Sequence, residues 1–247
     1  MMRFRSLGLV VLVAVVTGCG CRGDCPRVAR SPKQTIVAVD LSGSQTPETL
    51  RDSRAFVEKT IDSLSYGDHF VLMEMNRTGV GGALKRYLNT IPDLADSTFI
   101  TTKDRDNLKG TKGAFRTIAS IVFDTTGVGR IPHTDILATL FTASQYVHGA
   151  DNRPATIILL SDMLQSANGI EMEGLRSMPP PGWIGQQRKL GTIPDLTGVC
   201  IVVVGADAST PAGVTIREFW SEYIKATGAT LGPYVLLAPS PAELTCG

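Results

Sequence analysis

The stretch 36-IVAVDLSGSQT-46 decides how the rest of the chain is read. Four apolar residues, Ile36 to Val39, run without a polar break into Asp40. Ser42 and Ser44 follow at alternate positions, and Thr46 and Pro47 come next. A strand with no apolar/polar alternation is buried on both faces, as in a parallel sheet covered by helices. In open sheets of that kind, ligands bind beyond the carboxyl ends of the strands. One carboxylate and two hydroxyls, spaced two residues apart, are therefore delivered to the ligand edge.

Working outward, the same alternation of buried strands and amphipathic helices recurs from about residue 34. Thr46-Pro47 opens a helix, with Thr at the cap and Pro at the first helical position. Leu50, Val57, Ile61 and Leu64 carry its apolar stripe. The segment 69-HFVLMEM-75 reads as a strand, 78-TGVGG-82 as a turn and 84-LKRYL-88 as a returning hairpin or edge strand. Helical pattern runs from about Leu108 to Phe123. The segment 134-TDILATLFTASQYVHG-149 is a further helix, with Leu137, Leu140, Phe141, Ser144 and Val147 on its inner face. Then come the strands 155-ATIILLSD-162 and 199-VCIVVVGA-206, the helix 214-VTIREFWSEYIKATG-228 and a last strand, 233-PYVLLA-238.

Of these strands, 155-ATIILLSD-162 also ends in a carboxylate, Asp162, at the same edge as Asp40. Thr134, opening a helix, adds a third hydroxyl from another loop. Two carboxylates and three hydroxyls form a hard-oxygen donor set suited to Mg²⁺, or to Mn²⁺. So few charged ligands leave a bound cation attractive to a further carboxylate. Asp135 reads as a capping residue in a helix first turn, and Ser161 as a supporting one. An enzyme is the rival class, with Asp40 as nucleophile of a metal-dependent hydrolase or phosphatase. The second acid such phosphatases need two residues on is Ser42 here. A metal-free scaffold is the third class.

These residues carry a resemblance. D-x-S-x-S closing the first strand, here Asp40, Ser42 and Ser44, resembles the metal-ion-dependent adhesion site of the von Willebrand factor A (vWA) domain family. Thr134 and Asp162 match that site's two other positions. Met163 departs from the pattern, standing where glycine is usual after the aspartate. The resemblance covers about 34–247. It implies an α/β fold: a doubly wound, mainly parallel, Rossmann-like sheet flanked by helices, with one antiparallel edge strand. It also implies a protein partner that offers an Asp or Glu carboxylate to the metal, and a binding domain rather than an enzyme.

The N-terminus is of another kind. Arg3 and Arg5 precede the apolar run 7-LGLVVLVAVV-16, and 16-VTGC-19 follows. This describes a secretory signal whose apolar run is about half the length of a membrane-spanning helix. Its ending resembles a bacterial lipobox. The implied organisation is a lipoprotein signal peptide over 1–18, a tether over 19–33 with Cys19 as the lipid-attachment residue, and the vWA-like domain over 34–247. That places the protein in the bacterial cell envelope, and Gly20 after the cysteine implies the outer membrane, facing the periplasm. An exported chain permits disulfides. Cys200–Cys246 and Cys21–Cys25 are both open as pairs, since connectivity cannot be read from sequence.

The remaining composition narrows the partners. The 247 residues are 43% hydrophobic and 19% charged, with a formal net charge of +1. That is enough for a substantial core, and it lacks the clustered basic face a nucleic-acid footprint needs. The basic stretch 103-KDRDNLKGTKGAFR-116 carries its own acids and reads as a solvated loop or helix face. The segment between Asp162 and Val199 is long for a connection in a compact domain. It contains 178-MPPPGW-183, and two readings stay open: a partner-recognition rim with Trp183, or a covering loop with Trp183 packed on the domain. His133, beside Thr134, is the other residue placed where a partner would touch.

Overall fold

A computed structural model of the chain describes residues 25–26, 31–77, 84–94, 99–124, 133–147, 153–238, 240 and 246. The segment read as a signal peptide (1–18), Cys19, Cys21, the stretch 78–82 read as a turn and His148 lie outside the described residues. Among the described residues, no helix is long and apolar enough to cross a membrane.

The elements in chain order are β1 (Cys25–Pro26), β2 (Gln34–Val39), α1 (Pro47–Ser63), β3 (His69–Arg77), β4 (Leu84–Thr90), β5 (Phe99–Ile100), α2 (Thr102–Asp124), α3 (Ile136–Val147), β6 (Ala155–Leu160), α4 (Trp183–Lys189), β7 (Cys200–Val204), α5 (Pro211–Ala226) and β8 (Thr230–Val235). Six strands form one sheet in the order β4-β3-β2-β6-β7-β8, and β1 pairs with β5 in a separate two-stranded ladder. Every neighbouring pair in the large sheet is parallel except β3 with β4, which is antiparallel. This is the covered, mainly parallel sheet that the apolar runs imply, and the one antiparallel edge strand that the resemblance implies.

Alternate residues of the central strands feed two separate cores. Ile36 and Ala38 of β2 join Ile157, Leu159, Ile201 and Val203 beneath α3 and α5. Val37 and Val39 face the other way, with Phe56, Val57, Phe115 and Val122 of α1 and α2. Both faces of the sheet are therefore dry, which is why its strands show no alternation. Thr46 caps α1 by accepting from the Thr49 amide at 3.1 Å, as the Thr-Pro pair implies.

Several boundaries differ from the sequence reading. α2 begins six residues before Leu108, so the basic stretch 103–116 lies on a helix. Asp104 caps that start by accepting from the Thr101 amide at 3.0 Å and the Thr101 hydroxyl at 2.8 Å. The inner face of α3 is Ile136, Leu140 and Ala143, whereas Phe141 is 47% exposed. β8 starts three residues before Pro233. As the sheet's edge strand it tolerates a proline, whose missing N–H costs nothing on the open side. Thr210 caps α5 and Pro211 takes its first position, repeating the Thr-Pro start of α1. α4 was not legible at all: seven residues, with glycine inside, leave too little periodicity to read.

Candidate metal centre

Sheet order positions the site. Counted in chain order within the large sheet, the strands run 3-2-1-4-5-6, so the order reverses between β2 and β6. That reversal is the topological switch point, where a crevice opens beyond the carboxyl ends. Val39 and Leu160 are register partners, and the Asp40 amide donates to the Leu160 carbonyl at 2.9 Å. Asp40 and Asp162 are thus the first side-chain acids past the two strands that flank the crevice.

Asp40 is only 1% exposed, and its carboxylate is the hub of the cluster. Oδ1 accepts from the Ser42 amide at 2.9 Å and from Thr134 Oγ1 at 3.1 Å. Oδ2 accepts from Ser161 Oγ at 2.9 Å and from Gln45 Nε2 at 3.5 Å. Thr134, 94 residues away in sequence and 1% exposed, comes from the loop before α3. The Ser42 and Ser44 hydroxyls are 2.8 Å apart, and Ser44 also hydrogen-bonds Asp162. An ionised carboxylate only accepts, so Ser44 donates to Asp162 and Ser42 donates to Ser44. Thr134 and Ser42 each spend their proton this way and keep their lone pairs. Ser161 spends its proton on Asp40 as well, but it also accepts from the Met163 amide at 2.9 Å, so one of its two lone pairs is already used and it braces the carboxylate.

All five residues picked from sequence, Asp40, Ser42, Ser44, Thr134 and Asp162, therefore lie in one hydrogen-bonded cluster. Burial falls from Asp40 and Thr134 through Ser42 and half-buried Asp162 to exposed Ser44, so the cluster opens to solvent on the Ser44 side. Asp162 is pushed up to about 6, first by burial and then by the negative charge of Asp40. Two neighbouring carboxylates, one of them pushed up by burial and by the other's charge and both lined with hydroxyl oxygens, are a donor set that a hard divalent cation fits. Among the described residues no group of three or more His, Cys, Asp and Glu is placed to hold a metal, so a transition-metal site of nitrogen and sulfur ligands is not formed there.

The other singled-out residues settle as follows. Asp135 is a helix cap: Oδ1 accepts from the Ala138 amide at 3.1 Å. His133 is exposed beside Thr134. Trp183 starts α4 and packs its ring on Phe219 and Tyr223 of α5, with centroids 6.0 and 6.4 Å apart, which is the covering arrangement. It also lines a cleft of about 600 Å³ with Leu137 and Phe141 of α3. Met163 keeps the backbone that glycine would take, at φ +65°, and its side chain is fully buried. Its carbonyl accepts from Trp220 Nε1 at 2.9 Å, so Met163 anchors the loop in the core. The residues that sequence reasoning missed are Gln45 and Gln165, buried amides on the Asp40 and Asp162 loops. An isolated glutamine carries no spacing signal that could have found them.

Cys200 and Cys246 form a disulfide, with Cα atoms 5.6 Å apart. Gly232 makes room for it, since a Cβ there would sit 2.9 Å from the Cys246 sulfur.

The sequence matches no protein-family model and no curated protein. Among solved structures, the chain is similar to a von Willebrand factor type A protein from Catenulispora acidiphila, at 17% identity and a TM-score of 0.41. That match covers 87% of this chain and 40% of the other, so the chain spans two fifths of that protein's length. It is also similar to an aerotolerance-related membrane protein from Bacteroides fragilis, at 11% identity and a TM-score of 0.44, covering 85% and 94% of the two chains. A third likeness is to the manganese-loaded TRAP protein of Plasmodium vivax, at 12% identity and a TM-score of 0.39, covering 85% and 73%. These likenesses are too distant to argue from, and the fold assignment rests on the chain's own topology. A six-stranded sheet ordered around a central switch point, one antiparallel edge strand and helices on both faces make this a doubly wound, Rossmann-like α/β domain, the arrangement expected from the resemblance to vWA domains.

Proposed function

We propose that the chain is an envelope-anchored lipoprotein whose vWA-like domain binds a protein partner through a divalent cation. The observation that carries this reading is the convergence at the switch point: Asp40, Ser42, Ser44, Thr134 and Asp162 share one cluster, and the proximity of Asp40 helps hold the Asp162 carboxyl up. Mg²⁺ or Mn²⁺ held by these oxygens would supply an open coordination position for an Asp or Glu of the partner. The chain's own residues supply the rest. Asp40, fixed by four donors, sets the floor of the site. Thr134 and Ser42 present oxygens whose protons are already committed. Exposed Ser44 and His133 mark the side from which a partner approaches.

The Cys200–Cys246 disulfide supports an oxidising compartment. It agrees with the signal-like 1–18 segment and with Cys19 as lipid anchor, hence the periplasmic face of the outer membrane. The rival reading, Asp40 as a nucleophile, is disfavoured by Ser42, which stands where such phosphatases carry their second acid.

Calorimetry with Mg²⁺ and Mn²⁺ on the wild type and on Asp40→Asn tests the site. An acidic peptide titrated with and without EDTA tests the open position. Saturable metal binding that Asp40→Asn removes is expected, and equal metal affinity in both proteins would refute the site. Metal-dependent phosphate or peptide hydrolysis that disappears in Asp40→Asn would put the chain in the enzyme class.

A further inference from the structure

We infer that Gln165 is a positioning residue for the candidate metal site: it ties the loop carrying Thr134 to the loop carrying Asp162, so that the two ligand loops move as one body. The inference rests on the metal-binding reading above and concerns how that site is built.

Gln165 lies three residues past Asp162 and is 0% exposed. Its side-chain carbonyl accepts from the Ile136 amide at 2.7 Å and the Leu137 amide at 3.3 Å. These are among the first amides of α3, which have no partner inside the helix. Its side-chain NH₂ donates to Asp135 Oδ1 at 3.2 Å and to the Ala167 carbonyl at 3.5 Å. One buried amide thus answers two of the orphan donors of α3 and the carboxylate that caps it. The backbone on either side reinforces the tie. The Thr134 amide donates to Ser166 Oγ at 2.9 Å, and the Ser166 amide donates back to the Thr134 carbonyl at 3.0 Å. Asn168 Nδ2 donates to Asp135 Oδ2 at 3.1 Å.

Thr134 and Asp162 sit on opposite sides of this tie. Thr134 leans on Asp40, and Asp162 leans on Ser44. Without Gln165, the start of α3 would lose acceptors and the Thr134 hydroxyl would no longer be held over Asp40. A residue that only filled space there could be replaced by an apolar isostere with no effect on the site. A residue that positions Thr134 cannot, because its hydrogen bonds fix the loop.

Titrating Mn²⁺ into the full-length protein in detergent, by calorimetry, separates these cases. Gln165→Met keeps length and volume and removes both hydrogen-bonding functions. It is expected to weaken Mn²⁺ binding at least tenfold, as is Thr134→Ala. The double variant is expected to bind no more weakly than Thr134→Ala alone, because Gln165 acts through Thr134. Val57→Ala, in the opposite core layer, serves as a destabilised control whose affinity stays at the wild-type value. If Gln165→Met fails to fold, Gln165→Glu keeps an acceptor for α3 while losing the donation to Asp135, and a weakened affinity is again expected. Wild-type affinity in the folded Gln165 variants, or additive losses in the double variant, would overturn the inference while leaving the metal site standing. Absence of Mn²⁺ binding in the wild type would remove the metal reading itself, and the inference with it.

Discussion

Asp162→Asn turns the electrostatics of the site into a measurable stability. In the folded protein the Asp162 carboxyl is pushed up from 3.8 to about 6, by burial first and by Asp40 second. A carboxyl that holds its proton more tightly when folded favours the fold at low pH. That contribution is intact below about pH 4 and is lost as pH rises through about 6. Roughly two units at about 1.4 kcal/mol each put the full penalty of the ionised form on the order of 3 kcal/mol at neutral pH. Asparagine removes the charge, and its carbonyl oxygen can still accept from the Leu164 amide, which now bonds Asp162 Oδ1 at 3.0 Å. In EDTA at pH 7.5 the variant should therefore be more stable than the wild type in urea melts, by up to about 3 kcal/mol. At pH 4.5 the gap should narrow to about 1 kcal/mol. Saturating Mg²⁺ should reverse the order, since a ligand that binds only the folded wild type stabilises it by mass action. A variant less stable than wild type by the same amount at pH 4.5 and 7.5 in EDTA would refute the reasoning. Asp162 would then be an ordinary hydrogen-bonding residue rather than a charge awaiting a cation.

Other expectations follow from the same structure. Cys246→Ala should lower stability by about 2–4 kcal/mol, because the disulfide closes a sequence separation of 46 residues, and urea melts with and without reductant check it. Met163→Gly should relieve about 1 kcal/mol of left-handed strain but lose about 3 kcal/mol of buried side chain, so a net loss in melts is expected and a gain would contradict the anchoring role. Cys19→Ser should abolish lipid labelling and release the protein from membranes; unchanged membrane retention would contradict the anchor.

The architecture was legible for a physical reason. Strands dry on both faces appear as unbroken apolar runs, so β2, β6 and β7 announced a covered parallel sheet. The Thr-Pro pair announced where α1 begins. Asp40, Ser42, Ser44, Thr134 and Asp162 were also legible, as side chains at element ends where a turn or cap alone would need only one of them. What failed was local. α4 is too short to show a period, and β8 is an edge strand whose Gly232-Pro233 pair obscured its start.

Tertiary structure alone decided the rest. That Asp40 and Asp162 flank one crevice depends on β6 pairing with β2, a choice made by packing and crossovers rather than by any local signal. The raised Asp162 carboxyl follows from that adjacency and from burial, neither of which is written in residue order. Cys200 was shown to pair with Cys246 only when β7 and the chain's end were brought together over Gly232. Gln165 is the plainest case: as a letter it carries nothing, and its role comes from a buried amide reaching the first turn of a helix from a different loop.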